Sequence, residues 1–220
     1  MSGYFVTATG TEIGKTYLTC GVIEGMRRRD LPVEAIKPVL SGYTPDVAGA
    51  SDSGLILQAL GRPVDAARLD AITPWRFRAA LSPDMAAARE ERSVPFDALA
   101  SFCARAIERA AGVMLVEGAG GLMSPLGHDF TNLDLIASLD VRIVLVAGTY
   151  LGTISHTLTA CAALGVRGRE PWAIVLSQSE QNPVTPGETA ATLARFVDTP
   201  IYLMPRGGGV PDDLVEAMLG

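Results

Sequence analysis

The sequence predicts an α/β fold, a single domain with a mainly parallel β-sheet flanked by helices on both faces. Three observations point there. Short β-rich runs alternate with longer helical stretches along all 220 residues, without a linker or a break in composition, the rhythm of strand–crossover–strand units. The runs Val113–Val116 and Ile143–Val146 are apolar throughout, as parallel strands covered on both faces must be. A Gly14-Lys15-Thr16 tripeptide closes the loop between the first strand and the first helix, where α/β domains cradle phosphate groups on a helix N-terminus. Together they describe a P-loop NTPase-like fold over residues 1–220.

Each element has its own signal. Tyr4–Thr7 reads as the first strand. A helix follows from Lys15 to Arg29, with Leu18, Val22 and Met26 recurring every four residues on one face. Arg27, Arg28 and Arg29 put positive charge at its C-terminal end, where the helix dipole favours it. Glu34–Lys37 is a second strand, stopped by Pro38. Further strands are expected at Val113–Val116, Arg142–Val146, Trp172–Leu176 and Ile201–Leu203. Helices are expected at Ser53–Leu60, Phe96–Ala110, Leu133–Ser138, Thr153–Leu164 and Glu188–Val197. Pro45–Ala50 and Arg206–Pro211 read as loops, and there is no internal repeat.

Composition excludes several classes. Hydrophobic residues make up 48% and charged residues 19%, which is incompatible with a disordered, highly charged chain. One folded unit of this length buries roughly 70% of its chain surface. A formal net charge of -6 argues against a general nucleic-acid or polybasic membrane surface, while leaving room for one local cationic site. No apolar run approaches the ~18 residues of a membrane span. The N-terminus enters a strand within three residues, so a signal peptide is not expected. Cys20, Cys103 and Cys161 are odd in number, widely spaced and set in apolar helical stretches. They read as buried, reduced thiols of a cytoplasmic protein. With His128 and His156 the only histidines, no pair has zinc-ligand spacing.

The chemistry concentrates in a few places. In Ala8-Thr9-Gly10-Thr11-Glu12-Ile13-Gly14-Lys15-Thr16 glycine admits close approach of backbone N–H groups to phosphate, lysine reaches the β/γ-phosphates, and the Thr hydroxyl suits Mg²⁺. The pattern G-x-x-x-x-G-K-[ST] is met except at its first glycine, which falls at Thr9. There is no Asn-Lys-x-Asp for guanine, and the second lysine of partition-type ATPases would fall at Gly10. Ligand crevices of open parallel sheets lie at the carboxyl ends of strands, so Lys37 and Ser41 are expected to face the same cleft. A compact ammonium there suits an anionic substrate group. Glu117 ends a strand and is followed by Gly118-Ala119-Gly120-Gly121, a place for Mg²⁺ and a closely approaching ligand. Asp52 reads equally as a second Mg²⁺ ligand or as a helix N-cap. His156, in the first turn of a helix, reads as a packing or hydrogen-bonded residue, and His128 has no assigned role.

In these blocks the chain resembles the dethiobiotin synthase family. The matching stretches are the first strand and loop through Thr16, Lys37-Pro38-Val39-Leu40-Ser41-Gly42, Ser51-Asp52, Ser82-Pro83, Val116 to Gly121, and Leu151-Gly152-Thr153-Ile154-Ser155-His156. They occur in family order over about residues 3–156. The resemblance implies an ATP- and Mg²⁺-dependent cyclo-ligase that carboxylates 7,8-diaminononanoate with CO₂ or bicarbonate and closes a ureido ring. It implies Lys37, Lys15 and Thr11 as catalytic residues. Mg²⁺ would be held by Thr16, Asp52 and Glu117. Nucleotide would be bound by Glu12, Ile13, Gly14, Lys15, Thr16 and Tyr17, with Asp52, Glu117, Gly118, Ala119 and Gly120 beside them. Ser177 and Gln178, at the place of the base-reading pair, and Pro205, Arg206 and Gly207 would also bind nucleotide. Substrate would contact Lys37 and Ser41, and Gly152 and Ser155 would reach a partner's substrate in a homodimer. Nucleic acid and membrane are not expected as partners.

Departures from the family pattern are specific. The usual first loop glycine is Ala8, with Gly10 expected to supply the flexibility. A basic residue is replaced by Tyr150 and an Asn by Ser155. An adenine-reading Asn-Asp pair corresponds to Ser177-Gln178, which implies loose base recognition and use of other nucleoside triphosphates. Two other readings share the phosphate loop. A glutamine-dependent synthetase of the cobyrinic acid type needs a second, glutaminase domain. A regulatory ATPase gives no reason for Lys37-Pro38 and Ser41 to line the cleft.

Overall fold

Apolar β-branched runs dominate the centre of the molecule because they are covered from both sides. The computed structural model describes residues 2–219. Among them, β1 (Ser2–Ala8), β2 (Val33–Ile36), β5 (Val113–Glu117), β6 (Arg142–Ala147), β7 (Pro171–Ser177) and β8 (Ile201–Met204) form one parallel sheet in the order β2-β5-β1-β6-β7-β8. A second parallel pair joins β3 (Val39–Ser41) to β4 (Trp75–Phe77). From β1 the chain crosses to one side, to β2, and from β5 it returns to the other side, to β6. The crevice of a doubly wound sheet lies at this reversal.

Register sets the site. Ile36 and Phe5 both align with Val116, Val6 aligns with Glu117, and Ala8 aligns with Val146. Lys37, Glu117 and the loop after Ala8 therefore leave the sheet at one edge. Helix α1 (Lys15–Arg27) buries Leu18, Val22 and Met26, the stripe expected from its periodicity. It packs on α2 (Asp52–Ala59), so the phosphate-loop helix and the helix bearing Asp52 are fixed against each other. One continuous buried cluster runs from Tyr4 to Met218. At its end Tyr4 donates its hydroxyl to Met218 O at 3.0 Å and meets Trp172 edge-on, docking α9 (Asp212–Ala217).

The structure corrects several expectations. Pro45–Ala50 is a 3₁₀ helix rather than a loop. Its carbonyl at Ala48 would lie 2.0 Å from a Cβ on Gly54, so only glycine lets α2 approach it. The first helix ends at Arg27, and α8 spans Pro186–Leu193, started by a Thr185/Glu188 capping box. Lys37 follows β2 instead of ending it. Gly10 is not among the positive-φ positions, which in this loop are Glu12 and Gly14. Cys103 is buried, whereas Cys20 and Cys161 are half-buried, and all three are free thiols. The pair β3/β4 and the helices α3 (Ala66–Ile72), α4 (Pro83–Ala88) and α9 have no counterpart in the sequence reading. Among the described residues no helix is long and apolar enough to cross a membrane.

Candidate active site

The phosphate loop is shaped by two left-handed residues, Glu12 at φ 58° and Gly14 at φ 102°. The positive φ favours glycine at position 14, and a Cβ there would stand 2.7 Å from Ser177 Oγ and turn that hydroxyl away. No side chain caps α1. Its first-turn N–H groups and the positive end of its dipole are therefore open to an anion. Lys15 heads this turn and is buried, its Nζ donating to Gly10 O at 3.4 Å. Burial, and then the neighbouring Lys37 ammonium, lower its pKa to about 8.

Beside it lies a compact polar cluster. Lys37 is 2% exposed. Its Nζ donates to Glu117 Oε1 at 2.7 Å and lies 2.8 Å from Asp52 Oδ2, with Gly118 O at 3.4 Å. Thr16 donates its hydroxyl to the same Glu117 Oε1 at 2.7 Å. Burial alone would push the Lys37 pKa down, but the two carboxylates carry it above the ordinary lysine value. Burial likewise pushes the Asp52 carboxyl up and is outweighed by contact with Lys37, which leaves its pKa lowered. Asp52 is not the N-cap of α2. Ser51 holds that place, its Oγ accepting from Gly54 N at 3.1 Å.

Among the described residues no three His, Cys, Asp or Glu side chains cluster as a metal site. The donors here are two carboxylates and a hydroxyl, the oxygen set a hard cation such as Mg²⁺ takes when phosphate and water complete it. Glu117 Oε2 is buried without a hydrogen-bond partner. An orphaned anionic oxygen in a buried cluster fits a cation, and these residues fit Mg²⁺.

Two cavities flank the phosphate loop and share Glu12, Gly14 and Tyr17. One, of about 700 Å³, is lined by Thr11, Lys15, Thr16, Lys37, Ser41, Asp52, Ala119 and Gly120. The other, of about 740 Å³, is lined by Ile13, Tyr150, Ser177, Gln178, Pro205, Arg206 and Gly207. Thr11, Lys15, Thr16, Asp52, Lys37 and Ser41, from the candidate phosphate, metal and substrate sets, thus share one chamber, and Ser177, Gln178, Pro205, Arg206 and Gly207 line another. Glu117 and Gly118 lie behind the first chamber's wall and act on it through Thr16 and Lys37. Gly152 and Ser155 line neither cavity. They sit at the N-terminus of α7 (Thr153–Val166) and are exposed. His156 there is exposed, its Nδ1 2.9 Å from the Tyr150 hydroxyl.

Sequence reasoning missed the supports. Asn132 is fully buried and donates to Ala119 O at 2.7 Å and Gly121 O at 2.8 Å, fixing the glycine-rich loop after Glu117. Ser124 Oγ accepts from Gly121 N at 2.8 Å. Ala80 and Leu81 complete the chamber wall beside Leu40, Ser82 and Pro83, which belong to the matching stretches. The partners of Asn132 lie 11 and 13 residues back along the chain, so no local pattern announces it.

Fold and loop define the class: a P-loop nucleotide-binding domain. The family model described as an AAA domain matches residues 2–204. Solved structures agree on the fold, with a TM-score of 0.54 to the signal recognition particle receptor FtsY of Elizabethkingia anophelis, at 15% identity, covering 100% of this chain and 65% of that one. The MinC:MinD complex of Aquifex aeolicus gives 0.54 at 11% identity, covering 99% and 86%. Sequence relatives are more specific. A protein of Acidiphilium cryptum named ATP-dependent dethiobiotin synthetase BioD is 50% identical over 90% of this chain and 89% of its own. Proteins of the same name from a Caulobacter species and from Methylobacterium nodulans are 45% and 43% identical, each covering 99% of this chain and 96% and 99% of their own. The chain belongs to the ATP-dependent dethiobiotin synthetase family.

Proposed function

We propose that the protein is a cytoplasmic ATP-dependent cyclo-ligase of biotin biosynthesis, with residues 1–220 working as one catalytic domain. Its substrates are 7,8-diaminononanoate, CO₂ (or bicarbonate) and ATP. The observation that carries this reading is the buried Lys37, bound to Glu117 and Asp52 in the chamber that also holds the phosphate loop. An ATPase without small-molecule chemistry gives no reason for Lys37 and Ser41 to line the same chamber.

The reaction follows from the residues. One amine of the diamine adds to CO₂, losing a proton and forming a carbamate. The carbamate is anionic, and Lys37 with the Ser41 hydroxyl holds it at the chamber wall. Its oxygen attacks the γ-phosphorus of ATP, releasing ADP and leaving a carbamic–phosphoric anhydride. Backbone N–H groups from Gly14 to Tyr17, with the Lys15 ammonium, follow the phosphoryl group as charge develops on it, and Thr11 stands near the transfer. The second amine then attacks the carbonyl carbon, expels phosphate and closes the ureido ring. Catalysis is chiefly positioning and electrostatics. Thr16, Asp52 and Glu117 would hold Mg²⁺, which when bound neutralises phosphate charge. Glu117 and Gly118 orient Lys37, while Ala119 and Gly120 line the phosphate side. Ser177, Gln178, Pro205, Arg206 and Gly207 receive the base. Backbone and neutral side chains at Ser177-Gln178 discriminate weakly, so other nucleoside triphosphates serve as well.

The active form is a homodimer, with Gly152 and Ser155 reaching the partner's substrate. In its support, α7 presents Thr159, Ala162 and Val166 to solvent, beside Met123 and the 86% exposed Leu151. A groove lined by Met123, Thr159, Ala160 and Ala163 runs along the same face.

Phosphate release tests the activity. Turnover is expected to require diamine and bicarbonate together and to stop on chelation of divalent metal. ATP turnover unchanged by either substrate would sink the reading.

A further inference from the structure

We propose that Asn132 is a positioning residue for phosphoryl transfer: its buried amide turns the Ala119–Gly120 peptide so that the Gly120 N–H faces the chamber as a donor to the transferring group. The inference deepens the ligase reading above and rests on it.

Asn132 opens α6 (Asn132–Ala137), is fully buried and lines neither chamber. Its Nδ2 donates to Ala119 O at 2.7 Å and to Gly121 O at 2.8 Å. Its Oδ1 is buried without a hydrogen-bond partner, set against Gly118, where a Cβ would stand 2.7 Å away. An apolar side chain would leave no such oxygen unpaired. What the amide contributes is therefore its two donors.

The two acceptors belong to two peptide units. No peptide bond among the described residues is cis, and in a trans peptide the N–H points opposite to the C=O. In the Gly121–Leu122 unit Asn132 takes the carbonyl, and the opposite N–H, of Leu122, donates to Ala8 O at 2.8 Å. That peptide ties Asn132 to the phosphate loop. In the Ala119–Gly120 unit Asn132 again takes the carbonyl, but among the described residues the Gly120 N–H has no protein acceptor. Gly118 and Gly121 spend theirs inside the protein, on Val6 O at 3.0 Å and Ser124 Oγ at 2.8 Å. Gly120 lines the chamber, and a Cβ on it would stand 3.7 Å from Thr11 Oγ1. Its N–H is thus left for a ligand, on the wall shared with Thr11 and Lys15.

A phosphoryl group in transfer spreads negative charge over its equatorial oxygens. A backbone N–H already fixed in direction stabilises that charge without reorganising. Without Asn132 the peptide is free to rotate and to offer its carbonyl, an acceptor, to the same oxygens.

The test compares affinity for Mg²⁺ and ADP with affinity for Mg²⁺, ADP and aluminium fluoride, which mimics the transferring group, beside steady-state phosphate release. Asn132→Leu and Asn132→Ala remove both donors. They are expected to lower kcat roughly a hundredfold per nucleotide-binding site, as loss of a preorganised donor does, with KM for the diamine within about threefold. Affinity for the aluminium fluoride complex is expected to fall with kcat, while ADP affinity stays within about threefold. A merely structural role moves both affinities together or neither, and either result would overturn the proposal. Should the variants not fold, the wild-type Gly120 amide resonance decides. It is expected to move downfield when aluminium fluoride joins Mg²⁺ and ADP, and an unmoved resonance would overturn the proposal. None of the binding measurements uses the diamine, so failure here is distinct from failure of the ligase reading, which a wild type releasing no phosphate with diamine and bicarbonate would show.

Discussion

Lysine is scarce in this chain. Of 18 basic residues 16 are arginine, and the two lysines, Lys15 and Lys37, are both buried in one chamber. Arginine's broad, weakly hydrated fork does not replace a compact ammonium where a charge must follow a phosphoryl group or fit between two carboxylates. Lys37→Gln is expected to lower diamine affinity and turnover at least tenfold while nucleotide affinity changes little; an equal loss of nucleotide binding would move Lys37 into the phosphate site. The cysteines make the opposite case, of groups kept inert. Burial, then the Glu117 carboxylate, pushes the Cys20 thiol up to about 12, and burial does the same for Cys103. A raised thiol pKa keeps the unreactive protonated form up to high pH. Cys20 then carries roughly a thousandfold less thiolate near neutrality than an ordinary cysteine. Its alkylation by iodoacetamide is expected to keep accelerating through pH 10, and a plateau near pH 8.5 would contradict this. At this scale Lys15, Thr16, Lys37 and Glu117 were legible in sequence because strand ends and a helix start fix where such residues go. Asp52 was ambiguous because one acidic residue at a helix start serves a metal or a cap equally well, and the neighbouring Ser51 takes the cap.

At the scale of elements, the phosphate loop rests on a single glycine. Gly14→Ala combines a left-handed φ, costing about 1–2 kcal/mol in a residue with a Cβ, with a Cβ 2.7 Å from Ser177 Oγ. Nucleotide affinity is expected to fall tenfold or more, measured by titration, with the far-UV spectrum unchanged. The loss follows because the strained φ shifts the loop at the α1 N-terminus and the Ser177 hydroxyl turns away, disturbing both chambers. Long strands and helices were readable because their apolar runs and four-residue repeats extend over a full element. β3, β4, α3, α4 and α9 span three to seven residues each, too few for any period to register. Pro45–Ala50 carries turn-forming residues that suit a 3₁₀ turn as well as a loop. Boundaries failed where capping decided them, as at Thr185, whose box with Glu188 starts α8 at Pro186.

For the whole molecule, the parallel order of the central sheet brings residues from three strand ends and two helices to one edge, an arrangement invisible to any local pattern. The outward side of α7 has no such internal reason for its small and apolar residues. On the proposed dimer, in which Gly152 and Ser155 reach the neighbour's substrate, Leu151→Asp with Val166→Asp is expected to leave the fold intact, give a monomer in sedimentation and reduce turnover. A variant that remains dimeric would place the contact elsewhere. In the proposed reaction a carbamate oxygen takes the phosphoryl group. Single turnover with C¹⁸O₂, diamine, Mg²⁺ and unlabelled ATP, followed by mass spectrometry of the released phosphate, tests it directly. The expected result is one ¹⁸O per phosphate; unlabelled phosphate formed alongside dethiobiotin would contradict the account.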